Sequence, residues 1–215
     1  MSKEIENSII YWDNYYKNYV IDKNQIDDWL DIFKDIILNC NTPILDLGGG
    51  SGNNIVYLSK LNKDVIVCDI SLTAIENIRN SFPDIYDTKC FNMLDGLPFS
   101  DNSFDIVIAD LSIHYFKEED TIKIIKDIKR VLSMDGYLII RVNSINDYNH
   151  GAGNGLEVEK HLYMTNDNRL KRFFDEDDIR YYFKDFDIEY LNEELMDRYK
   201  YQKKLYKVCL HNRNL

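Results

Sequence analysis

The sequence contains no run of 18 apolar residues, so nothing in it predicts a membrane-spanning helix. Its opening, Met-Ser-Lys-Glu-Ile-Glu-Asn-Ser, is too polar for a secretory leader, and a cytoplasmic location with no membrane partner is expected. There is no Cys-x-x-Cys pair. Cys40, Cys68, Cys90 and Cys209 stand far apart and match no zinc spacing, so no metal is expected. Cys68 falls in an apolar run and reads as a small buried hydrophobe. Positive charge is scarce: 26 Lys and Arg face 37 Asp and Glu, a net charge of −11. This argues against nucleic acid as a partner, because nucleic-acid binding rests on phosphate neutralisation. The densest late basic patch, Lys203, Lys204 and Lys207, is expected to be a solvated face. Internal repeats, low-complexity tracts and Pro/Gly/Ser linkers are missing too. A length of 215 residues suits one domain with a full hydrophobic core.

Against this background one stretch carries chemistry. Residues 44–53 read Ile-Leu-Asp-Leu-Gly-Gly-Gly-Ser-Gly-Asn. A short apolar run ends in Asp46, and Gly48, Gly50 and Gly52 follow at alternate positions. Ile55, Tyr57, Leu58 and Leu61 then return at helical spacing. The pattern predicts a strand, a tight turn and a helix, the opening of a nucleotide-binding α/β unit. Glycine suits a turn that visits positive φ and a backbone that a ligand must approach closely. The dinucleotide fingerprint Gly-x-Gly-x-x-Gly fails in both registers. From Gly48 the sixth position is Asn53, and from Gly50 it is Ile55, which disfavours an NAD-dependent reductase. About twenty residues on, a second apolar run ends in Asp69, where such folds place a carboxylate on ribose hydroxyls. The competing role for Asp69 is a helix N-cap, which Ser71 could fill equally well. Ile70 is placed to pack on a base.

The rest of the chain alternates strands and helices. Residues from about 5 to 38 read as helices, with an aromatic cluster of Trp12, Tyr15, Tyr16 and Tyr19 that either lids the ligand or packs on the sheet edge. Ile26, Trp29, Leu30, Phe33, Ile36 and Ile37 form an apolar stripe. Strands are expected at 44–47, 65–69, 87–91, 105–109, 137–142, 185–194 and 204–211. Helices are expected at 52–61, 72–81, 118–132 and 175–183, with Pro83 after the second, a turn at Met134–Gly136 after the third and Asp175 capping the last. This order predicts a single doubly wound, mostly parallel sheet with helices on both faces and one antiparallel strand near the end.

The pattern Asp46-x-Gly48-x-Gly50-x-Gly52 resembles motif I of the class I S-adenosylmethionine (SAM) methyltransferases. Three further stretches resemble that family in the same order: Leu97–Asp105 leading into the fourth strand, Asp110–Tyr115 after it, and Arg130–Ile140 turning into the fifth. The resemblance implies a seven-stranded Rossmann-like sheet and SAM as cofactor, with S-adenosylhomocysteine as product. It implies a cap over 1–40, a cofactor-binding core over 41–143, and a substrate loop with closing strands over 144–215. Asp46 would help hold the ammonium of SAM, often through the loop backbone or a water. Asn92 and Met93 would sit beside adenine, with Asn92 standing where many relatives have Asp. Phe104 and Asp105 would be structural, and Asp110 would face the methionine moiety or the substrate.

His114 is the candidate base, with a pKa near the operating pH, should the acceptor need to lose a proton. Tyr115, Asn143 and His150 are candidate substrate contacts. The loop from Asn143 to about Glu159, with Gly151, Gly153 and Gly155, is expected to order over the acceptor. A metal cluster of His150, Glu157, Glu159 and His161 matches no known spacing. No Asn-Pro-Pro-Tyr-type tetrapeptide follows the fourth strand. With little besides the core, a small-molecule acceptor is expected, in a form similar to tellurite-resistance and thiol methyltransferases. The alternative is a SAM-binding regulatory or partner module without turnover. A monomer or homodimer is expected.

Overall fold

The computed structural model describes residues 2–24 and 27–213; Ile26 of the expected apolar stripe lies outside them. The elements run α1 (Lys3–Lys17), α2 (Lys34–Leu38), β1 (Ile44–Leu47), α3 (Asn53–Lys60), β2 (Val65–Asp69), α4 (Leu72–Ser81), β3 (Asp87–Cys90), β4 (Phe104–Asp110), α5 (Glu118–Val131) and β5 (Leu132–Asn143). Then follow β6 (Leu156–Glu159), β7 (Leu162–Met164), β8 (Leu170–Arg172), α6 (Glu176–Tyr182), β9 (Asp187–Met196) and β10 (Lys203–His211). The main sheet has seven strands in the order β3-β2-β1-β4-β5-β10-β9. The first five of these are parallel, and β10 runs antiparallel to both β5 and β9. This is the mostly parallel, Rossmann-like architecture that the sequence implied. Among the described residues no helix is long and apolar enough to cross a membrane.

Strands β1 and β2 are buried at every position, as central parallel strands covered on both faces must be. Two apolar clusters fill the two faces. One joins Trp29, Phe33 and Ile37 to Ile55 and Leu58 of α3 and Ile78 of α4, under β1, β2 and β4. The other joins Ile124, Ile125 and Ile128 of α5 to Ile179 and Phe183 on the opposite face. Helix α5 carries Glu118, Glu119 and Asp120 in its first turn and Lys129 and Arg130 in its last, matching its dipole at both ends. Ser71 caps α4 by accepting from the Ala74 N–H at 3.1 Å. Asp175 and Asp178 form a reciprocal capping box at the start of α6. Asp105 is structural: its carboxylate accepts from Asn41 N and Ser133 Oγ.

Three expectations need correction. The helical reading of 5–38 holds only for α1 and the short stretch 31–38; the described residues between them are irregular. Aspartate side chains divert that backbone, Asp22 accepting from Asn24 N and Asp27 from Trp29 N, which is how short carboxylates compete with helix formation. The turn expected at 134–136 is absorbed into β5, which leaves α5 directly at Leu132, with a register shift against β4 between Phe104 and Ile106. The loop expected from Asn143 to about Glu159 is irregular through Gly155, with one short turn of helix at Tyr148–His150, but its end, Leu156–Glu159, is a strand. It opens a second, three-stranded sheet in the order β6-β7-β8, whose strands of three and four residues are too short to show as periodicity.

Candidate active site

A cavity of about 360 Å³ opens at the carboxyl ends of β1, β2, β4 and β5, where ligands of open α/β sheets sit. At one end lies the glycine loop. Gly48 has φ +75°, and a Cβ there would stand 2.3 Å from Ser112 Cβ, so only glycine lets the two strand ends meet. Gly48 and Gly49 donate to the Cys68 carbonyl at 2.7 and 3.1 Å. Gly50 N donates to Asp69 at 3.0 Å, and Ser71 N donates to its other oxygen at 2.9 Å. Asp69 therefore acts on the loop while Ser71 does the capping. Burial raises the Asp69 pKa to about 6 against the opposing pull of these backbone bonds. Each carboxylate oxygen keeps lone-pair capacity for further donors.

Asp46 sits behind the loop and is completely buried. It accepts from Asn54 Nδ2 at 2.9 Å, and Asn54 accepts in turn from Trp29 Nε1 at 2.9 Å. Its second oxygen has no partner among the described residues, and burial raises its pKa to about 7. Ile70, Asn92 and Met93 line the same end of the cavity. The Asn92 oxygen already accepts from Leu94 N at 3.0 Å, holding the turn that presents Met93.

The roof of the cavity is α1 and the residues just after it. Tyr11, Trp12, Tyr15 and Tyr16 of the helix and Tyr19 beyond its end line the cavity, and their rings pack on one another. Tyr16 lies over the loop so closely that a Cβ on Gly50 would fall 2.0 Å from its hydroxyl. Asp13 accepts from Ser71 Oγ at 2.5 Å and Thr73 N at 3.3 Å, and Asn77 Nδ2 donates to the Tyr16 carbonyl at 2.8 Å. These bonds fasten the roof to α4.

The opposite end is built from side chains far apart in sequence. His114, Tyr115, Asn143 and His150 all reach it, together with Arg169, Lys171, Arg198 and Lys203. His114 is buried, and its Nδ1 has no protein partner among the described residues. The titration expected near neutrality does not fit this position. Burial, reinforced by Lys171, Lys203 and Arg169, pushes its pKa well below the ordinary histidine value, so the ring is neutral. Burial likewise holds the Tyr115 hydroxyl far above its ordinary value. Asn143 donates to the Arg172 carbonyl at 3.2 Å, and its oxygen is unpaired among the described residues. His150 Nε2 meets the Tyr201 carbonyl at 3.0 Å.

Asp110 borders the cavity, but its charge is matched by Arg141 at 2.7 and 2.6 Å and by Arg198 at 3.3 Å. Burial would raise its pKa, but Arg141 outweighs that and keeps it low. Arg141 and Arg198 also share Asp27, which ties β5, the β9–β10 connection and the segment before α2 together.

The sequence picks out most of the glycine-loop end and, at the other end, His114, Tyr115, Asn143 and His150, but not the cations Arg169, Lys171, Arg198 and Lys203 beside them. Asp46, Gly50 and Gly52 shape the loop without lining the cavity. Arg169 and Lys171 carried no signal, because they come from the small second sheet. Lys203 and Lys207 are buried and paired with Asp147 and Glu194 at 2.8 Å each, so the expected solvated basic face does not form. His150, Glu157, Glu159 and His161 do not gather either: Glu159 pairs with Arg172, and His161 lies against Asp178, where Lys160 also sits.

Residues 45–140 match the family described as a methyltransferase domain. The ubiquinone/menaquinone biosynthesis C-methyltransferase UbiE of Rickettsia felis is 33% identical over 121 residues, 52% of this chain and 48% of that protein. The probable tRNA methyltransferase 9B of Mus musculus is 36% identical over 102 residues, 46% of this chain and 21% of that one. The chain spans about half the length of the first curated relatives it matches, 47% and 45%. A SAM-dependent methyltransferase structure from Anabaena variabilis superposes with a TM-score of 0.71 over 99% of this chain and 96% of its own, at 15% identity, a likeness of fold alone. The glycine loop and Asp69 lie inside this matched methyltransferase domain, the fold is that of solved SAM-dependent methyltransferases, and SAM is the methyl donor that the domain and fold imply.

Proposed function

We propose that the protein transfers the methyl group of SAM to a small-molecule acceptor held at the far end of the same cavity. The observation that carries this reading is the cavity itself. Its size, about 360 Å³, lies within the range of about 300–1,000 Å³ usual for small-molecule sites. Helix α1 roofs it with Tyr11, Trp12, Tyr15 and Tyr16, and Tyr19 just after the helix adds a fifth ring. The net charge of −11 also opposes a nucleic-acid acceptor.

In this reading the Asp69 carboxylate grips the ribose diol with the lone pairs its two backbone bonds leave free. Ile70, Asn92 and Met93 surround the adenine. Gly48, Gly50 and Gly52 let the main chain approach the methionine end. Asp46 supports that loop from behind, and Asp110, neutralised by Arg141, fixes the wall between donor and acceptor. When bound, SAM supplies a methyl on a positively charged sulfur; the acceptor lone pair forms the new bond as the carbon–sulfur bond breaks, and that electron pair stays on sulfur. The protein's main contribution is then to hold the acceptor in line with the methyl, a positioning effect that can be worth several kcal/mol, up to about 7–11. The neutral His114 ring orients the acceptor through Nδ1 and takes a proton where the acceptor carries one. Tyr115, Asn143 and His150 shape the same pocket.

Calorimetric titration with SAM, S-adenosylhomocysteine and NAD tests the donor site: the two sulfur ligands bind and NAD does not. Conversion of SAM to S-adenosylhomocysteine is then followed with panels of small thiols, amines, phenols and acids, and with tRNA. Turnover with a small molecule supports the proposal. Turnover with tRNA alone would overturn it, and binding without any turnover would favour a regulatory module.

A further inference from the structure

The acceptor end of the cavity reverses the charge of the molecule around it. The chain as a whole is strongly acidic, yet Arg169, Lys171, Arg198 and Lys203 converge on this end. Pairing the charges one by one leaves a remainder. Arg141 and Arg198 are balanced by Asp110 and Asp27. Lys203 meets Asp147 at 2.8 Å, and that aspartate's other oxygen accepts from Lys204 N. Arg169 is held by both Nε and Nη2 on Asp167 and lies 3.4 Å from the ring centroid of Tyr11. Lys171 is left over: among the described residues its ammonium donates to the His150 carbonyl at 2.7 Å, lies 5.3 Å from the centroid of the Phe173 ring, and pairs with no carboxylate.

A half-buried ammonium without a counter-charge is costly unless something supplies the charge. Burial, then the neighbouring Lys203, lower the Lys171 pKa to about 8, so the site disfavours its own cation as it stands. Four buried polar atoms of residues lining the same cavity, Ser112 Oγ, His114 Nδ1, Asn143 Oδ1 and Arg198 Nε, also lack partners among the described residues. The walls are aromatic, with Tyr11, Trp12 and Tyr115 among them.

From these contacts we infer that the methyl acceptor is a flat carboxylic acid bound as a monoanion, its carboxylate paired with Lys171. One unmatched cation calls for one negative charge, and the charge-assisted bond replaces a contact to a neutral carbonyl. The flat body of the acid stacks among the rings. His114 and Asn143 are left to meet the polar group that accepts the methyl. This inference rests on the proposed transferase reading, naming the class of molecule that site takes.

The test uses the full chain saturated with S-adenosylhomocysteine at pH 7. Matched acid and amide pairs, such as benzoate against benzamide, 4-hydroxybenzoate against 4-hydroxybenzamide, and cinnamate against cinnamamide, are titrated calorimetrically. At least one acid is expected to bind tenfold or more tightly than its amide. Lys171→Met is expected to bring that pair within twofold of each other, with S-adenosylhomocysteine affinity unchanged, and Lys171→Arg to keep most of the preference. The inference is overturned when no acid outbinds its amide, or when Lys171→Met leaves the preference intact. It is equally overturned when Lys171→Met weakens S-adenosylhomocysteine instead, because Lys171 would then serve the cofactor's own carboxylate. Failure of the wild-type protein to bind S-adenosylhomocysteine at all is a separate result, counting against the transferase reading itself.

Discussion

The two ends of the cavity are made in different ways. The glycine-loop end comes from main chain and from residues within 46–93, and its side-chain charges are acidic: Asp46 and Asp69. The far end comes from side chains spread over 110–203, and its charges are cationic, each but one matched by an acid. The first end is a backbone device, in which substitutions fail by geometry. The second is an electrostatic device, in which substitutions fail by unbalancing a pair. A ligand that is cationic at sulfur suits the first, and an anion suits the second.

The sharpest way to break this contrast is Gly48→Ala. The new Cβ meets Ser112 Cβ at 2.3 Å in a backbone held at φ +75°, so the loop must move. Left-handed strain of about 1–2 kcal/mol adds to overpacking of about 1–3 kcal/mol, for a total near 2–5 kcal/mol. Urea unfolding and SAM titration measure both consequences: a lower midpoint and lost binding. Gly153→Ala is the control, with φ +74° but nothing within 4 Å of the new Cβ. It carries the strain alone and leaves SAM affinity unchanged. Equal stability for the two variants would show that contact across the strand ends does not matter.

Asp46 gives the next largest effect, through pH. Its pKa rises on folding from 3.8 to about 7, because burial disfavours the charge. Between those values the native state holds a proton that the unfolded state has released, so stability falls as pH rises from about 4 to about 7 and levels off above. The full span corresponds to about 4 kcal/mol. Asp46→Asn keeps an oxygen for Asn54 and removes the titration. Relative to wild type it gains stability between pH 5 and pH 8, even if its unpartnered amide lowers stability at every pH. Parallel pH profiles for the two proteins would defeat the assignment. Asp69→Ala is smaller: loss of charge-assisted bonds weakens SAM binding by about 1–3 kcal/mol, and unchanged affinity in calorimetry would remove the ribose role.

The contrast also explains what could be read in the sequence. The loop end was legible because strand, turn and helix are contiguous, and their glycine spacing is itself the structure. Continuous apolar runs such as Ile106–Ala109 marked the central strands for the same local reason. The charges of the far end were hidden because their pairings are long-range: Arg141 meets Asp27 across 114 positions, and Arg198 meets the same acid across 171. Lys171 sits on a strand of three residues, too short to leave a period. Lys203 read as surface because composition cannot show that Asp147, 56 positions earlier, neutralises it in the interior.

The roof supplies the smallest and most discriminating prediction. Helix α1 covers the loop end and is fastened by few polar contacts: Asp13 to Ser71 and Thr73, Asn77 to the Tyr16 carbonyl, Asn7 to the Asn168 carbonyl and Arg169 over the Tyr11 ring. Each net bond of this kind contributes about 0.5–1.5 kcal/mol. Asp13→Ala removes two of them and frees the Ser71 hydroxyl, which still caps α4. The fold below is untouched, so the urea midpoint shifts little. S-adenosylhomocysteine release should quicken about three- to tenfold, because a ligand lying under α1 leaves faster when that roof is less firmly held. Stopped-flow displacement measures that rate. A fast-release variant with unchanged stability identifies α1 as a moving lid, whereas a variant that loses stability and keeps its release rate identifies it as fixed packing on the sheet edge.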